Sequence, residues 1–127
     1  MCIRDRIDEL PILFIAAAFA SGKTIIRGVE ELKTKESDRL EAMSSSLGIL
    51  GVEAKTYSDG IDINGKSSLN SSVTIDSFGD HRIAMASSIA CSMLEGENII
   101  KNIENIQTSF PKFTETCNYL GIKAESF

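Results

Sequence analysis

The residues best suited to chemistry lie in short stretches where both signs of charge precede an apolar run. The first stretch is TKESDRLEAM, residues 34–43, which contains Lys35, Glu36 and Arg39. In a helix that begins at Glu36, Lys35 and Arg39 share one face, where like charges repel by about 0.2–0.5 kcal/mol, and the helix dipole also disfavours cations. Either Glu36 and Asp38 neutralise these cations in a solvated helix start, or a bound anion does so beside a carboxylate that moves a proton.

The second stretch is FGDHRIAMA, residues 78–86, in which Asp80, His81 and Arg82 precede an almost entirely apolar run. In one interpretation, Asp80 caps a helix while His81 and Arg82 face solvent. In the other, the guanidinium of Arg82 and the free backbone N–H groups of the helix start bind a phosphate or a carboxylate.

A third helix start, DELP at residues 8–11, places Asp8 beside an alanine-rich apolar run. Equivalent helix starts in a fold built from repeats tend to lie along one edge. We therefore expect Asp8, the segment 35–39 and the pair His81 and Arg82 to converge on one cleft.

Hydrophobic periodicity and turn signals predict alternating helices and strands. Helices are predicted at residues 11–20, 36–50, 82–94 and 112–119. Strands are predicted at residues 23–27, 52–57, 60–65, 73–77 and 97–101, with a hairpin turn at Ser58-Asp59-Gly60. The helices at 11–20 and 82–94 are apolar on nearly every side, so they are expected to be buried. This order of elements predicts an α/β domain.

The order of elements occurs nearly twice along the chain. ASGKTIIRGVEEL at residues 20–32 and LEGENIIKNIENI at residues 94–106 share a glycine, two isoleucines and a glutamate at matching positions. LGILGVEAK at 47–55 and NYLGIKAES at 118–126 match with a small deletion. Because each copy holds several elements and the period exceeds that of solenoids, the repeat predicts a globular domain of duplicated helix-strand-helix-strand units.

The composition restricts the class of protein. The 127 residues are 43% hydrophobic and 24% charged, which suits one domain with a real core. The net charge of −5 argues against a general binder of nucleic acid or anionic membranes, so any anion site must be local. No apolar run approaches the roughly 20 residues that span a bilayer. The cysteines show no metal-site spacing and favour a reduced, cytoplasmic protein: Cys2, Cys91 and Cys117.

Together the motifs carry a resemblance to a known family. DELP before an alanine-rich helix, KESDRL, DHRIAMA and TSFPKF, in this order, are similar to the C-terminal part of the 5-enolpyruvylshikimate-3-phosphate synthases (3-phosphoshikimate 1-carboxyvinyltransferases). The resemblance runs from about Asp8 to the end of the chain. TSFP at residues 108–111 resembles the glyphosate-tolerant class II bacterial members. Thr108 stands where other members have a lysine that binds phosphoenolpyruvate, so that role is not carried over.

The resemblance implies an enzyme of the shikimate pathway, which leads to chorismate and the aromatic amino acids. Such an enzyme transfers the enolpyruvyl group of phosphoenolpyruvate to the 5-hydroxyl of shikimate 3-phosphate, through a tetrahedral intermediate, and releases phosphate. The resemblance implies no metal or organic cofactor, no nucleic-acid or membrane partner, a cytoplasmic location and a monomeric full-length enzyme. The implied fold is part of an inside-out α/β barrel domain.

Carried over position by position, the resemblance assigns catalytic and substrate-binding roles. Asp8 would hold and deprotonate the attacking hydroxyl, and Lys35 would lie near that hydroxyl. Glu36 would protonate and then deprotonate the methylene carbon.

The same resemblance assigns the arginines. Arg39 and Arg82 would clamp phosphoenolpyruvate, with His81 as a catalytic residue at its edge. A small polyanionic substrate explains the crowded charges, because cations must converge on it and a carboxylate must lie among them to move protons.

The implied domain organisation differs from that of whole family members. These have two domains of three units each, with the active site between them, whereas residues 8–127 hold about two units of one domain. Residues 1–7 match nothing recognised in the family and are interpreted as a foreign leader. We therefore expect the isolated chain to be inactive.

Two alternatives stay open at this point. One is a non-catalytic α/β binding fragment that keeps the fold without the reaction. The other is UDP-N-acetylglucosamine enolpyruvyl transferase, which shares the fold but lacks KESDR and DHRIAM.

Overall fold

The structure is a computed structural model that describes residues 3–126. The α-helices of this part of the chain are α1 (Leu10–Phe19), α2 (Arg39–Ile49), α3 (His81–Ser92), α4 (Ile106–Ser109) and α5 (Phe113–Tyr119). The strands are β1 (Gly22–Ile26), β2 (Glu53–Thr56), β3 (Ile61–Gly65), β4 (Thr74–Asp76) and β5 (Ile99–Lys101). Two 3₁₀ segments, Ile3–Glu9 and Glu30–Thr34, precede α1 and α2. The α/β class predicted from the sequence is confirmed.

The strands form two small sheets. In the first, β3 lies between β1 and β2 and pairs antiparallel with both. The hairpin predicted around Ser58-Asp59-Gly60 joins β2 to β3. In the second sheet, β4 and β5 are parallel, and α3 forms the crossover between them.

The hydrophobic core lies where α1, α2 and α3 pack together and against the strands. Ile61 and Ile63 of β3 are fully buried, as is Ile75 of β4. Other fully buried apolar side chains are Phe14, Leu32, Leu40, Met43, Leu47, Leu50 and Ile83. Residues from all three helix starts are thereby drawn towards one another.

The internal repeat is visible in the turns that end α2 and α5. Val52 N–H donates to the Leu47 carbonyl at 2.9 Å, and Ile122 N–H donates to the Cys117 carbonyl at 2.9 Å. The glycine before each donor has a left-handed backbone, with φ of 82° at Gly51 and 86° at Gly121. A hydrogen bond from the sixth residue back to the first, with a left-handed glycine just before the donor, is common at the C-terminal end of helices. The two copies thus share a local structure, although β2 follows the first and residues 122–126 form no regular element.

The predicted start of the second helix was wrong by three residues. The helix α2 begins at Arg39, and the carboxylate of Asp38 caps it by accepting a hydrogen bond from Glu41 N–H at 3.1 Å. Lys35 is instead the C-cap that follows the 3₁₀ segment Glu30–Thr34. Because Asp38 satisfies a free N–H group, the helix starts after it. Lys35 and Arg39 therefore do not share a helix face, and the prediction that they do was wrong.

The apolar helix α1 is covered on one side only. Phe14, Ile15 and Ala18 are buried, whereas Ile12 is 39% exposed and Leu13 is 42% exposed. The expected burial of this helix is therefore present on one face, and the opposite face is exposed in the described residues. Within residues 3–126, no helix combines the length and the apolar character needed to cross a membrane.

Candidate active site

The guanidinium of Arg39 is the centre of the site. Its Nε donates to Asp80 Oδ2 at 2.8 Å, and its Nη2 donates to Asp80 Oδ1 at 3.3 Å. Its Nη1 donates to Asp8 Oδ1 at 2.8 Å, and Nη2 also donates to Glu36 Oε2 at 2.7 Å. Arg39 is only 1% exposed, so its charge is stabilised by these three carboxylates and not by water.

Local sequence places each of these groups at a helix start. Arg39 is the first residue of α2, and Asp80 is the N-cap of α3. Asp8 lies in the 3₁₀ segment directly before α1. Burial of the apolar faces of the helices brings their N-terminal ends together. The sequence predicted that Asp8, the segment 35–39 and the pair His81 and Arg82 converge, and the structure brings Asp8, the segment 35–39 and Arg82 together.

Lys35 lies at the edge of this cluster. Its Nζ donates to Glu31 Oε1 at 2.9 Å and lies 3.4 Å from Asp8 Oδ1. The hydrogen bond to Glu31 is the largest cause that raises the pKa of Lys35, and the charge of Asp8 adds to it. Burial alone would raise the pKa of Asp8, but Lys35, Arg82 and Arg39 together lower it. Asp8 and Lys35 are therefore both in their charged forms near neutral pH.

Arg82 reaches across the start of α1. Its Nη1 donates to the backbone carbonyl of Asp8 at 3.0 Å. Arg82 also lines a cavity of about 200 Å³ between α1 and α3. The other lining residues are Asp8, Glu9, Pro11, Ile12, Met85, Ala86 and Ile89. Arg82 thus presents its charge next to Asp8 at an opening that is otherwise mostly apolar.

His81 precedes Arg82 at the first position of α3 and is partly exposed. In the part of the chain that the structure describes, no hydrogen bond or ion pair connects His81 with Arg39 or Asp8. The structure therefore joins five of the six predicted site residues, namely Asp8, Lys35, Glu36, Arg39 and Arg82, and leaves His81 beside them.

Asp80 and Ser37 are part of the cluster but were not selected from the sequence as site residues. Asp80 is buried, and its Oδ2 also accepts from Ser37 Oγ at 3.0 Å. Burial would raise the pKa of Asp80, but the hydrogen bond and the charge of Arg39 lower it. The sequence signal was present in DHR, where the capping role of Asp80 was considered, but its contact with Arg39 spans 41 positions and has no local pattern.

The charges in the cluster are nearly balanced. Three cations lie among four carboxylates: Lys35, Arg39 and Arg82 among Asp8, Glu31, Glu36 and Asp80. The side chains of Glu36 and Asp8 are 53% and 46% exposed, so these two carboxylates are open to solvent at the edge of the cluster. Among residues 3–126, no group of three or more His, Cys, Asp or Glu side chains has the arrangement of a metal site.

Thr108 lies in the short helix α4, apart from this cluster. Its Oγ1 donates to the Asn105 carbonyl at 2.8 Å, so its hydroxyl is used within its own turn. The amide of Asn105 donates to the Gly79 carbonyl, which ties α4 to the loop that carries Asp80.

Comparison with known proteins shows the family of the chain. The family model described as EPSP synthase (3-phosphoshikimate 1-carboxyvinyltransferase) matches residues 1–117. The chain belongs to the EPSP synthase family. The family predicted from KESDRL, DHRIAMA and TSFPKF is therefore confirmed.

Curated relatives of this EPSP synthase chain bear the name 3-phosphoshikimate 1-carboxyvinyltransferase. One from Legionella pneumophila (strain Corby) is 48% identical over 121 residues, which are 95% of this chain and 28% of the relative. Another, from Xanthomonas euvesicatoria pv. vesicatoria (strain 85-10), is 46% identical over 124 residues, which are 98% of this chain and 28% of the relative. The chain thus spans about 28% of the length of these curated relatives.

A solved structure agrees with these sequence matches. An EPSP synthase from Acinetobacter baumannii aligns with a TM-score of 0.90 and 42% sequence identity. The alignment covers 97% of this chain and 29% of that one. At this level of identity, the likeness extends beyond the fold to the family. None of these matches carries the name of the UDP-N-acetylglucosamine transferase that was considered as an alternative.

Proposed function

We propose that the cluster forms one wall of an active site that transfers the enolpyruvyl group of phosphoenolpyruvate to the 5-hydroxyl of shikimate 3-phosphate and releases phosphate. The observation that carries the proposal is the convergence of two arginines and a lysine with two reachable carboxylates at three helix starts. This combination suits a reaction in which polyanions bind and protons move.

In this proposal, Arg39 and Arg82 bind phosphoenolpyruvate. A guanidinium offers several N–H donors in one plane, which match the paired oxygens of a carboxylate or phosphate. Arg39 is rigidly held, and Arg82 lies across the same edge, where its Nη1 contacts the Asp8 carbonyl. Two such groups can hold the substrate in one orientation.

Proton transfer is assigned to the carboxylates and Lys35. We assign Asp8, with Lys35 beside it, to the attacking 5-hydroxyl, because the two side chains are 3.4 Å apart and Asp8 stays ionised. We assign Glu36 to the methylene carbon, which must gain a proton on addition and lose one on elimination. His81 is assigned to the edge of the phosphoenolpyruvate site, as the resemblance implies.

The proposal extends to partners and surroundings. Addition and elimination need only proton transfers and stabilised charge, so we infer that no metal or organic cofactor takes part. The partners are shikimate 3-phosphate and phosphoenolpyruvate, with no nucleic acid and no membrane. We infer a monomeric full-length enzyme in the cytoplasm, acting in chorismate and aromatic amino acid biosynthesis.

The domain organisation remains part of the proposal. Residues 8–127 are assigned to about two units of one enolpyruvyl transferase domain. One wall of a site cannot exclude water from the reacting groups, so we infer that the chain alone is inactive. The remaining alternative is a non-catalytic binding fragment.

The experiment is a chimera in which residues 8–127 replace the matching part of the Acinetobacter baumannii EPSP synthase. Phosphate release is followed with both substrates, and a chimera carrying Glu36→Gln serves as the inactive control. We expect release that requires both substrates and is lost in the control. A folded chimera that binds both substrates but shows no turnover would favour the non-catalytic alternative, and one that binds neither would contradict the proposed function.

A further inference from the structure

Every acceptor position of the Asp80 carboxylate is in use. Oδ2 accepts from Arg39 Nε at 2.8 Å and from Ser37 Oγ at 3.0 Å. Oδ1 accepts from the Arg82 backbone N–H at 2.9 Å and from Arg39 Nη2 at 3.3 Å. Asp80 is 1% exposed, so no water replaces these four donors.

The partners of Arg39 are of two kinds. Asp80 is buried and holds the edge of the guanidinium that carries Nε. Asp8 and Glu36 are about half exposed and hold the outer nitrogens, Nη1 and Nη2. An anion arriving from solvent can compete with the exposed pair, but it cannot reach Asp80 without opening the core.

The same carboxylate also connects the two arginines. It holds the side chain of Arg39 at the start of α2 and the backbone of Arg82 in the first turn of α3. Ser37, two residues before Arg39, adds a third tie to the same group. The relative position of Arg39 and Arg82 therefore depends on one buried carboxylate.

We propose that Asp80 is a positioning residue, which fixes Arg39 relative to Arg82 so that an incoming phosphate or carboxylate displaces Asp8 and Glu36 from Arg39 and leaves Asp80 in place. The inference rests on the proposed function, because it takes Arg39 and Arg82 as the groups that bind phosphoenolpyruvate. Anion binding then frees the two carboxylates that transfer protons, so substrate binding and activation of the bases are one event.

The substitution that tests this is Asp80→Asn. An asparagine keeps one oxygen for the cap of α3 but replaces the other with an amide that cannot accept from Arg39 Nε. Asp38→Asn is the matched control, because the Asp38 carboxylate caps α2 through Glu41 N–H and, among the described residues, makes no hydrogen bond or ion pair with the Arg39 guanidinium.

In the chimera with the Acinetobacter baumannii enzyme, we expect Asp80→Asn to raise the KM for phosphoenolpyruvate by roughly 10–100-fold, because the binding groups lose their orientation. The KM for shikimate 3-phosphate should stay close to the parent value, and Asp38→Asn should change neither. Equal losses for both substrates, or no loss, would overturn the positioning role.

A second measurement on the 127-residue chain does not depend on activity. The Nε–H of Arg39 is followed by NMR, and its exchange with water is compared between the parent chain, Asp80→Asn and Asp38→Asn. We expect slow exchange in the parent and in Asp38→Asn, and fast exchange in Asp80→Asn. Slow exchange in all three would overturn the inference, whereas an inactive chimera with the expected exchange would count against the proposed function alone.

Discussion

Arg39 Nε lies 2.8 Å from Asp80 Oδ2, and both side chains are buried. The pair joins the first residue of α2 to the cap of α3 across 41 positions of the chain. A buried charge that loses its partner is strongly destabilising, so the two residues are expected to remain paired whenever the chain is folded. The site is thus built on a fixed ion pair, with exchangeable carboxylates around it.

The role of Glu36 can be tested by Glu36→Gln in the chimera. The substitution keeps the shape and removes the acid/base function of the carboxyl group, so we expect turnover to fall by roughly 10²–10⁴-fold while substrate binding is mostly kept. Glu41→Gln is the control, because Glu41 lies on the exposed side of α2 and accepts only from Thr56 Oγ1 among the described side chains. Turnover of Glu36→Gln within a few-fold of the control would rule out this role.

Arg82→Lys tests the proposed clamp. The charge is preserved, but the planar fork is lost. We expect weaker binding of phosphoenolpyruvate with almost unchanged binding of shikimate 3-phosphate, measured by calorimetric titration of the chimera. Arg27→Lys is the control, since Arg27 pairs with Asp62 on the antiparallel sheet, outside the cluster. Losses of the same size for both ligands would indicate a structural role for Arg82 instead.

The isolated chain is expected to be catalytically silent. Its cations and Glu36 form one wall, and an opposing wall is needed to exclude water from the reacting groups. The purified chain is given both substrates, and phosphate release is compared with that of the Glu36→Gln chain. Release that exceeds this control would show that these residues suffice for the reaction.

The ion pairs of Asp62 on the antiparallel sheet predict that the stability of the fold depends on pH. Asp62 on β3 accepts a hydrogen bond from Arg27 Nη2 at 2.6 Å and lies 2.8 Å from Lys23 Nζ. The hydrogen bond with Lys23 is the largest cause that lowers the pKa of Asp62, and the hydrogen bond and charge of Arg27 add to it. The pKa falls from 3.8 to about 2. Because the folded pKa is below the unfolded one, this stabilisation is present above pH 3.8 and is lost as the pH falls towards about 2.

Urea unfolding at neutral and acidic pH measures this effect. We expect Asp62→Asn to lower the free energy of unfolding at neutral pH and to flatten its decline in acid. Asp59→Asn is the control, because Asp59 is half-buried in the hairpin turn, where asparagine is equally suited, and its carboxylate makes no hydrogen bond among the described residues. An acid decline of Asp62→Asn as steep as that of the control would contradict the assignment.

Gly65 on β3 and Gly48 in α2 form a matched pair of sites, one closely packed and one open, at which an added Cβ can be compared. A Cβ at Gly65 would overlap the backbone carbonyl oxygens of Ala17 and Ala20, whereas one at Gly48 in α2 would meet open space. We expect Gly65→Ala to lower the free energy of unfolding by roughly 1–3 kcal/mol. Gly48→Ala should raise it by about 0.5–1 kcal/mol, since alanine favours the helix. Urea unfolding of both variants compares them, and a neutral Gly65→Ala would show that the strand does not approach α1 this closely.

Much of the fold could be predicted from the sequence, because its signals are local. Alternating apolar residues and a turn signal predict the β2–β3 hairpin, and apolar runs predict α1 and α3, each within one or two residues. The start of α2 was missed because Lys35 and Glu36 are good helix formers, and only the cap made by Asp38 shows where the helix begins.

By itself the sequence determined the α/β class, the repeat and the motifs of the family, since each depends on residues close together in the chain. It also singled out Asp8, Lys35, Glu36, Arg39 and Arg82, which meet in the structure. Only the tertiary structure decided that Arg39 is buried, that Asp80 holds it and that His81 lies beside the cluster. Those relationships join distant segments, and they arise when the apolar faces of α1, α2 and α3 are buried together and bring the three helix starts into contact.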